Sequence, residues 1–147
     1  MMNKFKLDER QLLIRGDIFK HGFFLMGGLL LLYAYLSELG LIKIQGIWSN
    51  FLIMMISFAA VIIEKIIRDA DDRTDKRMAV LVSLMGILGA AGLIMSIMDI
   101  TSGGKSFLEN RELTQSGTFM LLSIIEIIVF CTFVVKGIIN SRQIQPD

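Results

Sequence analysis

The sequence predicts an all-α integral membrane protein: four transmembrane helices paired as two hairpins, with a short cytoplasmic N-terminal helix ahead of them. Three observations carry this. Of the 147 residues 54% are hydrophobic, and the mean hydropathy is +0.64. The charged residues gather in short blocks, which leaves four apolar runs long enough for the roughly 30 Å hydrocarbon core. Lys and Arg then alternate in density from one connection to the next, the asymmetry that orients such runs.

Residues 1–147 form a single membrane domain, beginning with a cytoplasmic segment over 1–21. Helix is expected from Phe5 to Lys20, with Phe5, Leu12 and Phe19 on one face and Leu7, Ile14 and Ile18 on the opposite one. An interfacial helix needs only one apolar face, so a second implies contact with lipid headgroups on one side and with protein on the other. The first span, about 22–42, follows eight charged residues and precedes no A-x-A-like site, so it is expected to remain as an anchor and not to act as a signal peptide. The second span, about 47–67, starts beside Trp48, a residue suited to the membrane interface. The third, about 78–98, has the cleanest apolar run, and the fourth covers about 117–137. None alternates polar and apolar residues as a barrel strand must. The single proline, Pro146, breaks none of them, and the single cysteine, Cys131, excludes an intramolecular disulfide.

The N-terminal segment, the middle loop and the tail hold 12 basic residues, while the two other links hold 3. Both termini and the middle loop are therefore expected in the cytoplasm, across an inner or plasma membrane. Lys65 and Lys136 are placed to snorkel at the inner ends of spans two and four. A net charge of only +1 creates no field to attract nucleic acid, and none is expected as a partner.

Asp8, Glu9, Arg10 and Gln11 have a counterpart in Asp71, Asp72, Arg73 and Thr74. Each tetrad lies just before an outward-going span, which suggests two hairpins related by a pseudo-twofold along the membrane normal. Chance and duplication both account for so short a match. With the run KLDERQLLIRGDIF ahead of a hydrophobic hairpin, a charged loop and a second hairpin, the chain resembles small bacterial four-span membrane proteins that begin with a DERQ- or DERE-type motif. The resemblance is close at that motif and rests on layout elsewhere. It implies the four-span topology and a regulatory role, since some such proteins are encoded beside helix-turn-helix regulators. It supplies no catalytic residues.

Glu126 interrupts the fourth span about 13 Å from each interface. An acid there costs about 2.5–3.5 kcal/mol on the insertion scale, and the Leu, Ile, Val and Phe residues around it offset more at about 0.3–0.6 kcal/mol each. The span inserts, and the carboxyl should turn from lipid toward a polar neighbour. Tyr33, Ser57 and Ser123 lie at suitable depths. The residue then either hydrogen-bonds to fix helix rotation or works as a proton-coupling or cation-binding carboxylate. Small multidrug exporters also pair four spans with a membrane glutamate, but theirs lies in the first span, and here that span has no acid before Glu38.

In span three Gly86, Gly89, Ala90 and Gly92, with Ser83 and Ser96, offer the small surface that lets helices approach closely in lipid. They are expected to make this span the central packing helix of the bundle, or else the seam of a homodimer. Gly27 and Gly28 offer a second such contact in span one. The middle loop, residues 64–77, interleaves five acids with five bases, so no metal is expected there and a solvated or partner-facing surface is. Arg10 is expected opposite Asp71 or Asp72, and Arg73 opposite Asp8 or Glu9. His21 reads as an ordinary boundary residue, the Arg15-Gly16-Asp17 tripeptide as coincidence, and residues 102–110 as a turn.

No cofactor pattern and no serine–histidine or paired-carboxylate constellation is present, and enzymatic activity is not expected. Two functions remain. One is a non-enzymatic regulator that binds a cytosolic protein through its cytoplasmic face, with membrane lipid around it and with or without a second copy. The other is a small transporter or immunity-type protein that uses Glu126.

Overall fold

A computed structural model describes residues 9–70, 76–104, 106–110 and 112–143. Helix α1 runs Glu9–Glu38, strand β1 Lys43–Ile44, helix α2 Trp48–Ile67 and helix α3 Lys76–Thr101. Strands β2, Leu108–Glu109, and β3, Glu112–Leu113, then lead into helix α4, Gln115–Gln143. All four helices are long and apolar enough to cross a membrane, and the protein is a multi-pass membrane protein. Their outward faces stay apolar, with Phe24, Leu31, Ile87 and Met95 all exposed, as lipid requires.

The expected N-terminal helix and the first span are one continuous helix. At 1.5 Å per residue the 30 residues of α1 reach about 45 Å, beyond the roughly 30 Å of a hydrocarbon core. The two-face reading of its first part holds for the described residues: Ile18 is fully buried, while Leu12 and Phe19 are exposed. At the other end α1 stops at Glu38, short of residue 42, because Gly40 takes a left-handed conformation at φ 69°. The Leu41 amide then donates to the Leu36 carbonyl at 3.0 Å and the Gly40 amide to Ser37 at 3.0 Å, the paired bonds that close a helix. The end of α3 repeats the device with Gly103 at φ 82° and the Gly104 amide on the Asp99 carbonyl at 2.9 Å.

In cross-section the helices lie in the order α1, α2, α4, α3, so the second helix of each hairpin is central. That corrects the expectation that span three would be the central packing helix; α3 sits at an edge. Ala59, Ile62, Ile66, Val82, Met85 and Val129 form the core toward the end that carries the termini. Leu52, Leu113 and Leu122 form a second core toward the opposite end.

That opposite end is closed by a sheet of order β1-β3-β2. Strand β1 pairs parallel to β3, with Lys43 opposite Glu112 and Ile44 opposite Leu113. Strand β2 pairs antiparallel to β3 through a turn at Asn110, whose φ is 53°. The region 102–110 is thus a helix cap followed by a strand, more than a turn. Because β1 belongs to the first hairpin and β3 to the second, the sheet ties the two together. Thr114 fixes the second hairpin's side of this sheet. Its hydroxyl accepts the Gly117 amide at 3.2 Å as the α4 N-cap and donates to the Ser106 carbonyl at 2.6 Å. Ser116 donates to the Asp99 carboxylate, joining the start of α4 to the end of α3. Trp48 stacks on Phe119 with ring centroids 4.9 Å apart, so the interfacial aromatic also bridges the hairpins.

Candidate functional site

The end that carries the termini holds a polar network spanning three helices, and it is built around the C-terminus of α2. There the chain turns through Asp69, a non-glycine residue at φ 48°. The Ala70 amide donates back to the Lys65 carbonyl at 3.1 Å and the Arg68 amide to Glu64 at 2.9 Å. A helix C-terminus leaves carbonyls unpaired and carries partial negative charge. Cations from both neighbouring helices meet it. Arg15 of α1 donates its Nε–H to the Ala70 carbonyl at 3.1 Å. Lys136 of α4 donates to the Ile67 carbonyl at 3.2 Å and pairs with the Asp69 carboxylate at 3.0 Å. The expected snorkelling of Lys136 therefore ends on protein atoms.

One turn back, Glu64 receives two partners on one oxygen. Arg68, four residues on along the same helix, lies 2.9 Å from Oε1. His21 of α1 places Nδ1 3.0 Å from it, and 3.3 Å from Oε2. A hydrogen bond there requires a proton on Nδ1, as in one neutral tautomer or in the imidazolium. Lys65 stacks over the Phe19 ring at 5.0 Å from its centroid. The aliphatic contact beneath these groups is close, since any Cβ on Gly22 would collide with Val61. His21, read as an ordinary boundary residue, is in fact a cross-helix partner. The available signal was the Glu64–Arg68 spacing of four, which marks a helix face on which a third charge can dock.

Of the motif residues, Asp8, Asp71, Asp72 and Arg73 lie outside the described residues, and so do the ion pairs expected between the two tetrads. Glu9 and Arg10 open α1 and are exposed, with Gln11 half-buried behind them.

Glu126 lies where α4 meets α3 and is half-buried. Its Cβ would be 3.0 Å from a Cβ built on Gly89, so the backbones touch there without room for a side chain. The three neighbours expected to bond its carboxyl do not. Ser123 donates to the Phe119 carbonyl at 2.8 Å and Ser57 to Ile53 at 2.9 Å, each hydroxyl returning to its own helix. Tyr33 is half-buried on α1, which packs on α2. Serines within apolar helices readily bond the carbonyl four residues back, which depth in the membrane alone does not reveal. The packing glycines fare better. Gly86 faces the Phe130 ring, Gly89 the Ser123 carbonyl and Gly92 the Ser123 hydroxyl, all within this chain, while Ala90 is exposed. Gly27 and Gly28 have open space where a Cβ would be, so among the described residues of this chain they make no second close contact.

No protein-family model, curated protein or solved structure matches this chain.

Proposed function

We propose that this is a non-enzymatic membrane protein that binds a cytosolic protein through the end of the bundle carrying its termini. That end is assigned to the cytoplasm on its excess of Lys and Arg, in an inner or plasma membrane. The observation that carries the reading is the three-helix network of Arg15, His21, Glu64, Arg68, Asp69 and Lys136. It braces the base of a helix that projects past the apolar layer with Leu12, Leu13, Glu9 and Arg10 exposed. A rigid base beneath an exposed mixed surface is what protein recognition needs, since little ordering cost is left for binding. A photocrosslinking amino acid at Leu13 should capture one discrete cytosolic protein in the native host, and Glu9→Lys with Arg10→Glu should abolish the capture. The same crosslinker at Leu31, within the apolar layer, should capture lipid only. Capture of lipid alone at both positions would sink the reading.

A second reading keeps Glu126 as the working group of a small transporter or immunity-type protein. It is favoured by one observation: the carboxyl sits in mid-span without a hydrogen bond from any described residue. Glu126→Gln separates the two. Coupling to protons or cations is lost with Gln, whereas partner binding at Leu13 persists.

A further inference from the structure

Lipid-facing α4 carries a long groove beside the end of α2. Ile67, Ile128, Cys131, Val135, Lys136 and Ile139 line it, and its volume is about 520 Å³. From Ile128 to Ile139 the helix rises about 16 Å, close to one leaflet's share of a roughly 30 Å hydrocarbon core. The walls are apolar apart from Thr132, whose hydroxyl is spent on the Ile128 carbonyl at 2.8 Å, and Lys136, which stands near one end at the level of the α2 C-terminus. An ammonium has three N–H donors. Two of them go to the Ile67 carbonyl and the Asp69 carboxylate, which fixes the lysine in place and leaves the third.

We propose that this groove is a phospholipid site in the leaflet nearest the termini, with one acyl chain along the groove and the lipid phosphate on the third N–H of Lys136. A fitting occupant is apolar over the depth of a leaflet and brings a strong hydrogen-bond acceptor to its interfacial end, where Lys136, already paired with Asp69, has one N–H left. A phospholipid has both properties in the right order and is present at high concentration beside the groove. The site shares Lys136 with the network that braces the base of α1, but its groove lies on the lipid face of α4, away from the projecting residues Leu12 and Leu13.

The chain carries its own reporter, because Cys131 lines the groove, is exposed and is the single cysteine. The full chain in maltoside micelles is alkylated with N-ethylmaleimide while dioleoyl phosphatidylglycerol, dioleoylglycerol or oleate is added. Phosphatidylglycerol should slow alkylation about tenfold, the protection that about 90% occupancy gives. Dioleoylglycerol and oleate should leave the rate near its starting value. Lys136→Met should reduce phosphatidylglycerol protection to that of dioleoylglycerol. Should that variant fail to fold, Ile128→Trp tests the groove alone: it should slow alkylation without lipid and leave added lipid no further effect. Equal protection by dioleoylglycerol or oleate would overturn the phosphate contact. Equal protection of a cysteine at lipid-facing position 94, introduced as Ile94→Cys with Cys131→Ser, would overturn the site itself.

Discussion

The two hairpins solve one problem in different ways. Between α3 and α4 the helices pack closely at three successive positions, Gly86, Gly89 and Gly92, where a Cβ would strike the Phe130 ring, the Ser123 carbonyl and the Ser123 hydroxyl in turn. Between α1 and α2 such an approach occurs at Gly22, at the end carrying the termini, beside the buried Ile18 and the polar contacts of Arg15 and His21. Farther along, a Cβ on Gly27 or Gly28 of α1 would meet none of the described residues. In lipid no hydrophobic effect draws helices together, so they associate where small residues allow dense packing or where polar groups pair. The second hairpin uses the first route through the middle of its length. The first hairpin uses both routes, concentrated near one end. The second should therefore move as a unit, and α1 should be the element that opens first.

The comparison is easiest to break with a large side chain placed in each hairpin. Gly89→Leu must displace the Ser123 carbonyl, 2.9 Å from the built Cβ, or part the helices. Overpacking of this kind costs about 1–3 kcal/mol and occasionally more. Gly27→Leu meets open space and gains up to about 1 kcal/mol of helix propensity. Thermal unfolding in detergent should place Gly89→Leu well below the parent and Gly27→Leu level with it or above. Equal losses would mean that the hairpins do not differ as described.

Next in size is the closure of the second hairpin at its far end, the part that carries β3 against β1. Thr114 is fully buried and is the N-cap of α4. Thr114→Val removes the cap and the bond to Ser106 while keeping the shape, and loss of such a cap costs about 0.5–2 kcal/mol. Hydrogen exchange should quicken at residues 106–113 in this variant and hardly change at the Arg15 end. A change spread evenly along the chain would place the junction elsewhere.

These cases show why some of the molecule was legible and some was not. Four spans, two hairpins and the packing role of Gly86, Gly89 and Gly92 follow from run length and residue size, which are local properties. The row of helices α1, α2, α4, α3 depends on which faces meet, and four spans that are all apolar leave that open. The sheet escaped because strands of two residues show no alternation, so only Asn110 hinted at a turn between them. Glu126 was legible as an acid in mid-span. Its lack of a serine partner was not, because Ser57 and Ser123 have backbone carbonyls of their own within reach. His21 was missed because its partner is 43 residues away and on another helix.

A smaller effect sharpens the view of α1. Glu64→Gln weakens the contacts to both His21 and Arg68 at the membrane boundary, where such pairs contribute about 0.2–1 kcal/mol. Global unfolding should barely shift. Amides on the buried face of α1 near Ile18 should nonetheless exchange faster, while those of α3 and α4 stay as they were. Equal acceleration in α4 would mean that Glu64 supports the whole bundle and not one helix.

The smallest expected change is the most diagnostic for the α2 terminus. Asp69 holds a left-handed conformation, which costs a typical L residue about 1–2 kcal/mol, somewhat less for Asp. Against that stands its pairing with Lys136, which for a partly exposed ion pair offsets about 0.2–1 kcal/mol. The two nearly cancel. Asp69→Gly loses both, so its melting temperature should match the parent closely or rise slightly. Asp69→Ala keeps the backbone strain and loses the pair, so it should fall below both. If Gly instead fell as far as Ala, the ion pair would outweigh the strain. The Asp69–Lys136 pair, which joins the end of α2 to α4, would then rank among the contacts that hold the two hairpins together.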